Sequence, residues 1–309
     1  MGKMVRNGHE YAVRRQPSTV ALAERTVMDT SGNNIESTYL KLADFRTRYG
    51  FNLDDDDVLI QEQPNAGFHN SLFRGADITS KYTDGSLYTN IANGTFADLY
   101  VGDYFKATIN GREYTCRIAG FDIYYNNGDT AFTDHHAVIV TDERMYVGDA
   151  VTSKMNSSNT TTGGYVGSAM YTTVLPTIDG YLDATFGNHL KSNRELLSKA
   201  VGTATSRGYR TATGQASDWG WYTVKSCLMT EVEVYGSLAW TSSGYDVGTG
   251  KVQLPLFAIA PEFINPGRFS WWLRSVVSSA SFAYVFNLGN ASYTGASYSI
   301  GVRPRFLIG

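Results

Sequence analysis

The tightest constraint on how this chain folds is its closing stretch, RFSWWLRSVVSSASFAYVFNLGNASYTGASYSIGVRPRFLIG. Phe282, Tyr284 and Phe286 share one parity, and Ala283, Val285 and Asn287 share the other. Side chains of a strand point alternately to its two faces, so this spacing puts an aromatic row on one side of a strand. Gly289-Asn290 and Thr294-Gly295 supply turns, and Tyr298, Ile300 and Val302 form a second alternating face. Phe306, Leu307 and Ile308 belong inside a sheet. Trp271 and Trp272 are adjacent, so only one is expected to anchor the core, with the other capping a loop or facing a groove. Arg274 and Arg303 read as partly buried, multiply hydrogen-bonded scaffold arginines whose planar fork braces carbonyls and carboxylates. Gly301 allows close backbone approach, and Pro304 fixes the chain.

The same β-rich logic extends upstream. Val101–Ile109 leads into Asn110-Gly111, and Arg112–Phe121 resumes an extended pattern, which predicts a hairpin. His136–Thr141, HAVIVT, predicts a buried strand, and residues 58–150 as a whole read mainly as strands. His135 and His136 would face opposite ways on that strand, so they do not make a paired metal site. Residues 153–164 read as a small, polar loop. Ser168–Leu175 predicts a short helix ending before Pro176. Ile178–Phe186 and Leu190–Lys199 predict further helices through Leu182, Leu190, Leu196 and Leu197. Strand material returns around Trp219 and Trp221, with Leu228–Tyr235 as a strand or the wall of a site. Thr241–Gly250 is loop-like, and Lys251–Ala260 is an apolar, buried stretch in which Pro255 disfavours a regular strand. The expected fold class is therefore α+β, rich in antiparallel strands.

Residues 1–50 differ in character, with a turn at Ser31–Asn34 and a short helix predicted over Ser37–Tyr49. They read as an attachment or oligomerisation segment. Residues 51–94 read as a β-rich link and 95–309 as the main domain. The acidic run Asp54–Asp57 lacks the ligand spacing of a calcium loop and reads as a solvated turn.

Composition narrows the function classes. A formal net charge of -3 without a basic stripe argues against nucleic-acid binding. No apolar run approaches the ~18 residues of a membrane span. The N-terminus lacks the apolar core of a signal peptide. Cys116 and Cys227 lie beside apolar residues and are expected as buried free thiols rather than a disulfide framework or a zinc site.

WWLRS at 271–275 and GVRPRFLIG at 301–309 resemble the C-type-lectin-like module of phage and bacterial structural proteins. That module is related to formylglycine-generating-type domains and to the variable receptor-binding proteins of diversity-generating retroelements. GDYFKATINGREYTCRIAGFD at 102–122 resembles the module's opening hairpin, and TTGGYVGSAM at 161–170 the segment before its short helices. The resemblance implies a lectin-like domain over 95–309 with the variable binding residues just before the terminal motif. The matching positions are Ser278, Ser279, Ser281, Tyr284, Asn287, Asn290, Ser292, Tyr293, Tyr298 and Ser299. Tyrosine interleaved with small polar residues suits an adaptable contact surface. The cysteine pair of formylglycine-generating enzymes has no counterpart in the motif region, and the carboxylates of calcium-dependent sugar sites are missing. The resemblance thus implies no catalytic residue, no metal and no cofactor.

TVMDTSGNNIESTYLKL at 26–42 is similar to the start of phage fibre and appendage proteins. The resulting expectation is a tailed-phage virion protein, made in the bacterial host cytoplasm. Its N-terminus would attach to other virion proteins, and its lectin-like domain would meet a host-surface protein or glycan. It would be a homo-oligomer, with a trimer among the arrangements. The alternatives are a capsid or tail decoration protein, a host-encoded surface lectin-like protein, or a hydrolase drawing on Asp122, Asp129, Asp134 or Glu143.

Overall fold

Asn110 and Gly111 both take positive φ, 47° and 74°, as a two-residue hairpin turn requires. They join β3 (Tyr104–Ile109) to β4 (Arg112–Phe121) with Ile109 opposite Arg112. The computed structural model describes residues 3–6, 9–12, 64–202, 214–241 and 252–309. The expected helix at 37–49, the acidic run 54–57 and the attachment motif 26–42 lie outside them, as does nearly all of the 241–250 loop. Residues 1–63 form one unit and 64–309 another. Within the first, β1 (Lys3–Arg6) and β2 (His9–Ala12) pair antiparallel, with Val5 opposite Glu10.

The second unit is α+β with several sheets, mostly antiparallel. One sheet is ordered β10 (Ser226–Cys227), β15 (Arg305–Ile308), β5 (Ala137–Thr141), β4, β3, with β7 (Leu190–Lys191) also on β15. Every residue of β5 and β15 is buried, as their apolar runs suggest. The other large sheet is ordered β13 (Ala291–Gly295), β12 (Ser281–Val285), β11 (Trp271–Val276), β14 (Ile300–Gly301), β6 (Thr152–Ser153). Within it only the β11–β14 contact, Trp271 opposite Gly301, is parallel. Cys116 and Cys227 are buried and unpaired.

Several expectations are corrected. Residues 64–94 are helical rather than β-rich: α1 (Ala66–His69), α2 (Thr79–Asp84) and α3 (Ser86–Ala92). The Asp77 carboxylate accepts from Thr79 N, Gly85 at φ 83° separates α2 from α3, and Leu87 and Ile91, four apart, enter the core. Pro176 ends no helix. A π-helical turn at Met170–Val174 runs straight into α4 (Leu175–Phe186), and Pro176 occupies the first α-helical turn, where its missing N–H is tolerated.

The helix expected at 190–199 is instead β7 and β8 (Asn193–Val201), and β8 pairs with β9 (Ala216–Val224). Asn193, Glu195 and Leu197 point inward at period 2, and the adjacent leucines had imitated a helical face. Residues 231–235 form α5 (Glu231–Tyr235) rather than a strand. The Thr230 hydroxyl accepts from Glu233 N at 3.1 Å, and the Glu233 carboxylate accepts from Thr230 N at 2.7 Å. This capping box is spelled out by the sequence Thr-Glu-Val-Glu. Pro255 opens the helix α6 (Pro255–Ile259).

Both tryptophans are fully buried. β11 is covered on both faces, so neighbours of opposite parity each enter apolar packing. The Trp271 indole donates to the Ile264 carbonyl at 3.2 Å, and the Trp272 indole to the Ser153 carbonyl at 2.8 Å.

A layer of four buried charges ties the elements together. Glu195 on β8 takes Arg305 of β15 on Oε1 and Arg274 of β11 on Oε2, the latter at 3.3 Å. Arg305 lies over the Tyr124 ring, and Tyr124 donates its hydroxyl to Glu233 of α5. Two guanidinium groups and two carboxylates thus balance, and opposite charge holds both arginines well above their ordinary pKa despite burial.

His136 is buried and neutral. Its Nε2 accepts from Tyr124 N at 3.1 Å, and Nδ1–H donates to the Asp134 carbonyl at 3.0 Å. Burial pushes its pKa down to about 4 from 6.5. The unfolded chain therefore takes up a proton between pH 6.5 and 4 that the folded chain refuses. Stability is full above pH 6.5 and falls towards pH 4, with about 2 kcal/mol gone by pH 5. Urea unfolding at pH 7 and pH 5 should show this fall, and His136→Asn should flatten it. An equal fall in the variant would assign the effect to other groups.

Candidate recognition face

The candidate residues of 276–300 occupy different places around the β12–β13 hairpin. Ser278 and Ser279 lie in the turn before β12, and Ser281 is the first residue of that strand, opposite Gly295. Thr161 fastens that turn through its hydroxyl to the Ser278 carbonyl at 2.8 Å and its N–H to the Ser279 carbonyl at 3.0 Å. Asn287 and Asn290 are exposed in the turn at the other end of β12, where Phe286 N donates to the Asn290 carbonyl at 2.9 Å.

Register then divides the tyrosines. Tyr284 lies opposite Ser292 and beside Trp272, on one face of the sheet. Tyr293 lies opposite Ala283, on the other face, with its ring 4.8 Å from that of Trp240. Trp240, Tyr293 and Leu288 are all exposed.

Only Tyr284, Tyr298 and Ser299 of the ten converge on one cavity. It holds about 350 Å³ and is completed by Arg144, Thr152, Ser270, Thr294 and the β14 residues Ile300 and Gly301. It therefore sits where the strand carrying WWLRS meets the start of GVRPRFLIG. Gly301 shapes its floor: a Cβ there would collide with Arg144 Cδ and lie 2.7 Å from the Ser270 carbonyl oxygen. The Arg144 guanidinium stacks on Phe269, 4.8 Å from the ring centroid. A second cavity of about 400 Å³, with Asp142, Glu143, Tyr146 and Phe269 on its walls, meets the first at Arg144. Sequence reasoning missed Arg144, Thr152, Ser270 and Thr294. Arg144 follows β5, far upstream of the hairpin, and is held beside β14 by the neighbouring Met145 N, which donates to the Val302 carbonyl at 2.8 Å.

Arg303 stands apart from the cavity. It is fully buried and donates to the carbonyls of Thr141 (2.6 Å), Ile264 (2.8 Å) and Phe263 (3.1 Å). Pro304, also buried, follows it and leads into β15. A larger cavity, about 770 Å³, lies between α3 and residues 188–191, where Tyr88 and His189 stack at 3.7 Å.

The acidic residues weighed for hydrolysis each have a separate partner. Asp122 accepts from His135, Asp129 pairs with Arg194, Asp134 lies 3.6 Å from Lys191, and Glu143 accepts from Thr115. Among the described residues no group of three or more His, Cys, Asp or Glu side chains could hold a metal ion, and no helix is long and apolar enough to cross a membrane. No family model matches the chain, and neither a curated protein nor a solved structure does.

Proposed function

We propose that this chain is a tailed-phage virion protein whose second unit is a C-type-lectin-like display domain binding a host-surface receptor or glycan. In this reading the N-terminal segment attaches it to other virion proteins, and the protein works as a homo-oligomer without chemistry of its own. The observation that carries the reading is the cavity of Tyr284, Tyr298 and Ser299. It lies between the two motifs that resemble the lectin-like module, and tyrosines and small hydroxyl residues make up much of its wall. A decoration role is the second reading. It is favoured by the exposed pair Trp240 and Tyr293, whose rings lie 4.8 Å apart and suit a neighbouring subunit.

Excising 276–300 would remove Phe282, Ala283 and Val285 from the core, so point changes are the cleaner probe. Tyr298 is 60% exposed, so Tyr298→Ala should leave the melting temperature unchanged. It should weaken attachment of the purified chain to host cells by about tenfold. An antibody to the chain should label intact particles. Unaltered attachment would remove the receptor-binding version and leave the architectural one; unlabelled particles would remove both.

A further inference from the structure

We propose that the Arg144 cavity takes an anionic sugar residue, with a carboxylate or phosphate group held by the Arg144 guanidinium. This rests on the reading of the cavity as a recognition site and names the class of ligand. Arg144 is the cation of the cavity, and no carboxylate lines it. The two nearest acids in sequence face other partners. Asp142 accepts from Arg117 Nε at 2.9 Å, and Glu143 accepts from Thr115 N at 2.9 Å and from its hydroxyl at 3.0 Å.

Arg144 itself has no hydrogen-bond or ion-pair partner among the described residues, while Phe269 stacking and the Gly301 floor hold it in place. A guanidinium fixed in orientation with its donors free matches the planar, two-oxygen edge of a carboxylate or phosphate. The side chains around it carry hydroxyls: Tyr284, Tyr298, Thr294, Ser270 and Ser299. None of these hydroxyls is used within the protein among the described residues, so each is free to meet a sugar hydroxyl. The phenol rings add faces on which the C–H side of a pyranose packs. A volume of about 350 Å³ suits a small ligand better than a peptide segment.

The test titrates methyl glucuronide, glucose 6-phosphate and methyl glucoside into the full chain, followed by ligand-observed NMR. At least one anionic sugar should bind about tenfold or more tightly than the neutral one, and Arg144→Gln should erase that difference. Binding should weaken as salt rises. Arg144→Lys, which keeps the charge and loses the fork, should fall between the two. Preference for the glucuronide assigns a carboxylate, and preference for the phosphate assigns a phosphorylated sugar. Three sugars bound alike, with Arg144→Gln unaltered, would overturn the anionic class. If Tyr298→Ala still reduced cell attachment, the recognition reading would survive that result. No sugar bound, together with attachment indifferent to Tyr298→Ala, would overturn both.

Discussion

Glu195→Gln is expected to lower the unfolding free energy of the second unit by about 3–5 kcal/mol. The Glu195 carboxylate is fully buried and faces both Arg305 and Arg274. The amide keeps the shape and removes the charge, leaving two buried guanidinium groups to share Glu233, which lies 3.8 Å from Arg305 Nε. Breaking one member of a buried ion network strands charge in low dielectric, and that is more costly than the net worth of the network. Removing a pair together, as in Glu195→Met with Arg305→Leu, should therefore recover much of the loss. Urea unfolding of Glu195→Met, of Arg305→Leu and of the double variant forms a cycle that isolates this coupling. A Glu195→Gln variant within about 1 kcal/mol of the parent would show that water or rearrangement already screens the layer.

Arg303→Met should rank next, at about 3 kcal/mol, because three main-chain carbonyls lose their donor at once. Arg303 has no carboxylate in its hydrogen-bond set. Burial lowers its pKa to about 10, and the carbonyls of Thr141, Ile264 and Phe263 together with the Trp271 ring at 5.2 Å hold the charge. Arg303→Lys keeps the charge, yet a single ammonium cannot span three acceptors in a fork, so it should lose nearly as much. Equal stability of the lysine variant and the parent would show that charge alone matters there. The loss should appear in melting curves at neutral pH.

Some of this architecture is legible in the chain. Asn110-Gly111 has a single good use between two extended runs, and the apolar runs Ala137–Val140 and Phe306–Ile308 mark strands covered on both faces. The parity of Phe282 and Tyr284 marks β12. What failed did so for identifiable reasons. Adjacent leucines at 196 and 197 resemble a helical face until Glu195 is known to be buried by two arginines from later strands. Trp271 and Trp272 could not be placed because full cover on both sides of β11 depends on other segments. The capping box at Thr230 was present and overlooked. For the cavity, Tyr284, Tyr298 and Ser299 were among the positions that the resemblance implied. Nothing local to Arg144 marks it as their neighbour, since a main-chain bond remote in sequence, Met145 N to the Val302 carbonyl, sets that contact.

Strand pairings remote in sequence also govern time. β15 adds to β5, and β14 to β6, so residues 305–308 meet 137–140 and residues 300–301 meet 152–153. Each contact closes a very long loop before it yields any burial, and chains dominated by such contacts fold in roughly milliseconds to seconds rather than microseconds. A nick in an exposed connection between these strands would leave both halves clasped in the same sheets. The domain is thus slow to assemble and hard to dismantle piecemeal.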